Sequence, residues 1–163
     1  MKLGLEAEVA RQTDYGNNPN QYALTYSLLR PSLGWEGTTL FTEWESLRGN
    51  GRFALQTPLA TFHAQNGWAE VFNTIPPNGL RDIRLRWLQE LPDLGPLKNG
   101  RLDVRFDDFS ATHGAIHYGR EIDADVNASL KGWVTVGLQI AAYQASTFAR
   151  NTTKVWLYAE ILY

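Results

Sequence analysis

GWVTVGLQIAAY, residues 132–143, sets the expected architecture of the whole chain. One face of this stretch is apolar and carries Val134, Val136, Leu138, Ile140 and Ala142. The opposite face carries Thr135, Gly137, Gln139 and Tyr143. Apolar residues at every second position are typical of a β-strand with one buried or lipid-facing side. The alternation resumes in residues 152–163, so the C-terminus is predicted to be a hairpin of two long strands.

Six earlier segments alternate in the same way. They are Leu3–Gln12, a segment beginning near Gln21, Thr39–Arg48, Leu80–Gln89, Arg101–Ser110 and Glu121–Leu130. Strands of about 9–11 residues with one apolar face can cross a tilted bilayer span, whereas strands of soluble proteins average about 5–6 residues. The sequence therefore predicts an all-β fold, an antiparallel up-and-down transmembrane β-barrel with about eight strands in residues 1–163.

The apolar parity predicts which side chains point outward from the barrel axis. In the last two strands these are Val134, Val136, Leu138, Ile140, Val155, Leu157 and Ile161. In the second segment the same logic places Tyr22, Leu24, Tyr26 and Leu28 outward. Pro31 is expected to weaken the end of that strand, because proline cannot donate to a strand ladder. Trp35-Glu36-Gly37 is expected to form a tight turn.

The composition excludes several other classes of protein. The chain has 163 residues, no cysteine and a formal net charge of −2, which excludes disulfides and cysteine metal sites and gives no sign of nucleic-acid binding. No apolar run approaches the length of about 18 residues that a helical membrane span needs. Mean hydropathy is −0.32, which is compatible with a membrane barrel because half of its strand residues face water.

A connection without periodicity, residues 49–79, separates the third and fourth strands. Its prolines, glycines and asparagines rule out a regular strand, but its aromatic content is too high for a disordered segment. We expect an ordered loop at the mouth of the barrel, with His63, Trp68 and Phe72 as its characteristic side chains.

The same connection carries the sequence motifs QTPLATFH at 56–63, NGWAE at 66–70 and PPNGL at 76–80. Further motifs follow: DDF at 107–109, YGREID at 118–123, AAYQA at 141–145 and TTKVWL at 152–157. In residue identity and in order these motifs resemble those of the alginate-export-type family of outer-membrane porins. The first three strands carry no such motif. Members of that family are barrels with about twice this number of strands, so the resemblance implies that the chain corresponds to their C-terminal half.

The alternation also predicts a charged inner surface. The side chains expected to line it and to contact a solute are Arg84, Arg86, Arg101, Asp103, Arg105, Asp107, Asp123, Asp125 and Lys154. An arginine ladder on the fourth and fifth strands could attract an anionic solute such as a uronate chain. Alternatively, these arginines could pair with Asp82, Asp103 and Asp107 on neighbouring strands as a structural charge ladder. Most remaining inward charges, such as Glu6, Glu43 and Glu121, are acidic.

No enzymatic chemistry or cofactor is expected. His113 and His117 could share a metal ion but lack a third ligand at a convincing spacing. Asp107-Asp108 and the pair Asp123 and Asp125 could be catalytic carboxylates, but on alternating strands they are more simply polar positions of the inner face. Trp35, Trp133 and Tyr163 could form an interfacial aromatic girdle or be ordinary strand aromatics.

These observations predict a passive pore in the bacterial outer membrane that passes small solutes or an acidic polysaccharide. Its expected partners are outer-membrane lipid, the solute and the missing N-terminal half of the barrel. No signal peptide precedes the first strand, which is expected for a fragment. Two alternatives remain open: a soluble eight-stranded ligand-binding barrel of lipocalin type, and a small closed membrane-anchor barrel without a pore.

Overall fold

The computed structural model describes residues 1–57, 66–130 and 132–161. It contains eight strands: β1 (Lys2–Thr13), β2 (Ala23–Trp35), β3 (Thr38–Arg48), β4 (Gly79–Leu91), β5 (Leu97–Ser110), β6 (His117–Leu130), β7 (Val134–Ala145) and β8 (Thr152–Ile161). There is no helix in the described ranges, and hence none there with the length and hydropathy to cross a membrane. The predicted all-β class and the eight strands are confirmed.

The strands form one antiparallel sheet in which each pairs with its neighbours in sequence, in the order β1 to β8. Registers such as Leu138 opposite Leu157 keep residues of like character on one face of neighbouring strands. The sheet is not closed, because β1 and β8 do not pair with each other. The up-and-down topology is thus confirmed, while a closed barrel is not formed by these eight strands alone.

Short and long connections alternate between the two ends of the sheet. Glu36 and Gly37 alone join β2 to β3, and both have positive φ, 42° and 78°. This is the conformation of a type I′ hairpin turn, so the predicted tight turn is confirmed. The β4–β5 turn, residues 92–96, lies at the same end. Next to it Lys98 Nζ lies 3.1 Å from Asp93 Oδ2, and this hydrogen bond lowers the pKa of the Asp93 carboxyl. The pair is exposed and contributes little to stability.

The outer face of the sheet is apolar and exposed. Every strand contributes to it, through Leu3, Leu5, Val9, Leu29, Trp44, Ile83, Leu85, Trp87, Phe106, Ile122, Val126, Leu138, Ile140, Val155, Leu157 and Ile161. Leu157 is 86% exposed and Ile122 57% exposed. Of the side chains predicted to point outward on β7 and β8, Val134 and Val136 are half-buried and the others are exposed.

The predicted parity of β2 is wrong. Leu24 and Leu28 are buried, and Leu29 is exposed instead. Apolar residues occur at both parities of this segment, so its hydropathy alone does not fix the register. The polar side chains decide it: the Tyr26 hydroxyl donates to Glu45 Oε1 at 2.9 Å, and Arg30 pairs with Glu43. Both contacts require the Tyr26 side of β2 to face inward.

The expected effect of Pro31 and the predicted starts of two later strands also differ from the structure. β2 continues through Pro31 to Trp35, and Pro31 lies opposite Leu5 of β1. The register between β2 and β3 passes from Leu29 directly to Ser32, as expected where proline offers no N–H. β5 begins at Leu97 rather than Arg101, and β6 begins at His117 rather than Glu121.

The described parts of the β3–β4 connection, residues 49–57 and 66–78, lie against the inner face of the sheet. They contact Gln12 of β1, Arg105 of β5 and Lys154 of β8. These contacts place the described parts of the connection over the inner face, from β1 at one edge of the sheet to β8 at the other. The apolar core therefore sits between the connection and the sheet; it includes Leu24, Leu47, Leu55, Trp68, Phe72, Ile75, Leu80, Phe109, Tyr118 and Tyr143.

Candidate functional site

The inner face is organised around a buried arginine. Arg84 of β4 donates from Nε to Asp107 Oδ1 at 2.5 Å, from Nη1 to Glu43 Oε1 at 2.7 Å and from Nη2 to Asp82 Oδ2 at 2.8 Å. All four side chains are buried, with Arg84 itself 6% exposed. Each N–H of the guanidinium fork that is used here meets a carboxyl oxygen, so the buried positive charge of Arg84 is hydrogen-bonded on all sides that the fork uses.

Two more arginines extend this network toward β6. Arg86 forms a bidentate pair with Asp103, at 2.7 and 2.5 Å. Arg105 Nε lies 3.2 Å from Asp123 Oδ2. The geometry favours the structural charge ladder over a row of free arginines. Arg101 differs from the other three, because no described residue forms an ion pair with it.

Carboxylates of the sheet also hold the backbone of the β3–β4 connection. Trp68 N donates to Asp123 Oδ2 at 3.1 Å, and Ala69 N donates to Glu121 Oε1 at 2.6 Å. Nearby, Asn66 Nδ2 donates to Glu45 Oε2 at 2.7 Å. A buried donor or acceptor is costly to leave without its partner, so these contacts hold residues 66–69 in place.

Gly67 makes this close approach possible. A Cβ atom at this position would lie 2.5 Å from Glu121 Oε2, and the residue has a φ of 89°. Only glycine combines that backbone conformation with the absence of a side chain. The glycine of the motif NGWAE, residues 66–70, therefore has a physical role, because it lets the backbone lie directly on the Glu121 carboxyl group.

Aromatic rings pack the other end of the connection against the sheet. Phe72 stacks on Phe148 with ring centroids 5.1 Å apart, and its centroid lies 4.7 Å from that of Phe109. Tyr118 and Tyr143 complete the cluster. Trp68 is buried as well, with the Arg105 guanidinium 3.9 Å from the centroid of its ring. Both side chains predicted to pack in the mouth loop are therefore packed, while His63 lies outside the described residues.

A solvent-open cleft of about 470 Å³ lies on the inner face next to Trp68. We call it the aromatic cleft. It is lined by Trp68, Arg86, Leu88, Arg101, Asp103, Asp125, Asn127, Gln139, Trp156 and Tyr158. Of the predicted solute-lining residues, Arg86, Arg101, Asp103 and Asp125 line this cleft, whereas Arg84, Arg105, Asp107 and Asp123 are buried beneath the connection. Lys154, the remaining predicted residue, does not line this cleft and instead donates to Glu70 Oε2 at 2.7 Å.

The sequence did not single out Trp156 and Tyr158 as site residues. Their position opposite the apolar face of β8 was visible, but the contact of the Tyr158 hydroxyl with Asp125 Oδ2, at 3.0 Å, links β8 to β6 across β7. The Tyr158 ring reaches Asp125 because it lies over Gly137 of β7, where a Cβ atom would fall 2.3 Å from Tyr158 Cζ. Strand periodicity reports the face on which a residue lies, but not the neighbour that its side chain reaches.

The inner face offers one group of carboxylates with metal-ligand spacing in the described residues, Glu43, Glu45 and Asp82, with oxygens within 4.8 Å of one another. The Arg84 guanidinium already contacts Glu43 and Asp82 and supplies the positive charge there. The two candidate histidines do not form a metal site with each other. His117 instead lies 2.9 Å from Ser146 Oγ and 3.3 Å from Asp108 Oδ2 through its two ring nitrogens.

Comparison with known proteins adds no relative: no family model, curated protein or solved structure matches the chain. The resemblance to alginate-export-type porins stays a prediction from the quoted motifs.

Proposed function

We propose that the chain forms part of an outer-membrane β-barrel pore that passes small solutes. The observation that supports this most strongly is the distribution of side chains over the two faces of the sheet, which is the reverse of that in a soluble barrel. Large apolar side chains cover the outer face of every strand, while charged residues such as Arg84, Asp107 and Asp123 are buried on the inner face. A soluble protein rarely exposes so continuous an apolar surface, whereas a lipid-facing sheet requires one.

Strand length agrees with this proposal. The shortest strand, β8, has 10 residues, and the longest have 14. At about 3.3 Å per residue and a tilt of about 45°, ten residues cover about 23 Å along the membrane normal. The apolar band of outer-membrane barrels is about 25 Å tall.

The alternative of a lipocalin-type binding barrel is less well supported. Such a barrel binds its ligand among apolar side chains in its interior. Here the inner face carries the ion network of Arg84 and Asp107, and Leu138 and Leu157 lie on the other side. A binding barrel would also purify without detergent, which gives a direct means of discrimination.

A small closed anchor barrel is also less well supported. The interior of an eight-stranded barrel is just wide enough to be filled by side chains. The backbone of residues 66–70 occupies this space and is bonded to β6. Additional strands between β8 and β1 would close the sheet around the segment and cover both unpaired edges, which lipid does not tolerate. The proposed source of these strands is a further part of the same barrel.

The charge on the inner face bears on the solute. Its acidic groups are Glu6, Glu8, Glu43, Glu45, Glu70, Asp82, Glu90, Asp103, Asp107, Glu121, Asp123, Asp125 and Glu160. Its basic groups are Lys2, Arg30, Arg84, Arg86, Arg101, Arg105 and Lys154. Acidic groups outnumber basic ones, so this part of the pore favours cations and neutral solutes over an acidic polysaccharide.

Conductance tests the proposal. The complete barrel that contains this chain, extracted in detergent and added to a planar lipid bilayer, should produce stepwise ohmic currents. A preparation that stays soluble without detergent and gives no current would contradict the proposal and favour the binding barrel. Membrane insertion without current would favour the anchor.

A further inference from the structure

The aromatic cleft combines ring faces with planar polar groups, which is the pairing that recognises sugars. Trp156 and Tyr158 enter it from β8, and Trp68 enters from the β3–β4 connection. One side of a pyranose ring presents C–H groups and packs on an aromatic face, while its hydroxyls point sideways to donors and acceptors. A volume of about 470 Å³ falls within the range of about 300–1,000 Å³ that is usual for small-molecule sites.

The polar groups of the cleft are held in fixed positions. Asp125 accepts hydrogen bonds from Asn127 Nδ2 at 2.6 Å and from the Tyr158 hydroxyl at 3.0 Å. Asp103 is fixed by its bidentate pair with Arg86. Preorganised acceptors lose little entropy when a ligand hydroxyl binds to them. A carboxylate oxygen has more than one acceptor position, so both aspartates keep capacity for a ligand.

The charge balance of the cleft points to a neutral ligand. Two arginines, Arg86 and Arg101, face two aspartates, Asp103 and Asp125. Below the cleft Arg105 is matched by Asp123, and Glu121 adds a further acidic group. A polyanion would therefore meet no net positive charge, and its carboxylates would lose their hydration without compensation.

We propose that the aromatic cleft binds a neutral saccharide, with pyranose rings against Trp156 and Tyr158 and hydroxyls on Asp125 and Arg101. The inference rests on the proposed pore function for the route by which the sugar arrives, but the cleft itself is formed by described residues. A cleft of this kind would make neutral saccharides the solutes that the proposed pore selects.

Calorimetry on the detergent-solubilised protein tests the inference. The probes are neutral trisaccharides of glucose, mannose and galactose, with trigalacturonate as the anionic counterpart of matched size. At least one neutral trisaccharide should bind, and trigalacturonate should bind at least tenfold more weakly. Trp156→Ala should weaken the neutral sugar at least tenfold, while Trp133→Ala, in the exposed β6–β7 turn, should leave the affinity unchanged.

Three results would overturn the inference: no neutral trisaccharide binds, trigalacturonate binds as tightly as the neutral sugars, or Trp156→Ala binds like the unmodified chain. If Trp156→Ala does not fold, Asp125→Asn replaces it, with a loss of at least tenfold expected and an unchanged affinity counting against the inference. Because binding is measured in detergent, it is independent of current. Sugar binding without conductance would contradict the pore alone, and conductance without sugar binding would contradict this inference alone.

Discussion

At the scale of single residues, Arg84 is the position at which the inner face is most sensitive to substitution. Arg84→Met keeps the aliphatic part of the side chain but removes the guanidinium, which leaves the buried Glu43, Asp82 and Asp107 without their shared cation. Removal of one partner from a buried ion network costs on the order of 3–5 kcal/mol. We therefore expect a fall of that size in the free energy of unfolding, measured by urea titration in detergent.

Arg81→Met is the matched control for this substitution. Arg81 lies on the same strand but is exposed, and its Nε donates to Ser110 Oγ at 3.0 Å. Its replacement should change the free energy of unfolding by less than about 1 kcal/mol. Equal effects of the two substitutions would show that the Arg84 network is no more important than a surface contact.

Gly67 supports a second residue-scale prediction. Gly67→Ala and Gly132→Ala both place a side chain at positive φ, 89° and 80°, at a conformational cost of about 1–2 kcal/mol each. The new Cβ meets the Glu121 carboxylate only at Gly67, since nothing lies within 4 Å at Gly132. Gly67→Ala should therefore destabilise the protein more and release the β3–β4 connection to protease. Equal proteolysis of the two variants would contradict the proposed contact.

The alternation of residues predicted the correct face of a strand where its apolar and its charged residues lie at opposite parities. On β4 the alternation of Ile83 and Leu85 with Arg84 and Arg86 left one consistent parity, and the structure has it. On β2 both parities are apolar, so the register depends on Tyr26 and Arg30 finding acceptors on β3. Contacts of that kind are fixed by the partner strand and cannot be read from β2 itself.

At the scale of elements, the β3–β4 connection behaves as part of the fold rather than as a surface loop. The amides of Trp68 and Ala69 are bonded to buried carboxylates, whereas the β1–β2 connection, residues 14–22, is mostly exposed. Hydrogen exchange should therefore be slow at Trp68 and Ala69 and fast in residues 14–22. Fast exchange at both amides would show that the connection does not stay on the inner face.

The sequence predicted that this connection is ordered, because its aromatic content exceeds that of disordered segments. It did not predict where the segment lies. That position depends on Glu45, Glu121 and Asp123 meeting backbone or amide donors from a region more than 20 residues away. Strand ends were likewise less predictable than strands, as the extension of β2 through Pro31 illustrates.

At the scale of the whole molecule, the excess of acidic groups on the inner face predicts the ion selectivity of the proposed pore. In a bilayer with a tenfold gradient of potassium chloride, the reversal potential should have the sign of a cation-selective channel. The preference should weaken as salt concentration rises, because ionic screening shortens the reach of the inner charges. Selectivity for chloride would contradict this prediction and would favour the alternative in which the arginine ladder acts as an anion filter.

The central claim is that the outer face of the sheet lies in lipid while the inner face contacts water. The chain has no cysteine, so single cysteines can carry spin labels without background. In lipid vesicles, oxygen should accelerate the spin relaxation of labels at Leu138, Ile140, Val155 and Leu157, because oxygen partitions into lipid. Labels at Asn127 and Trp156 should instead be relaxed by a water-soluble nickel chelate. Labels on the outer face that respond to the nickel chelate as strongly as those on the inner face would contradict the claim.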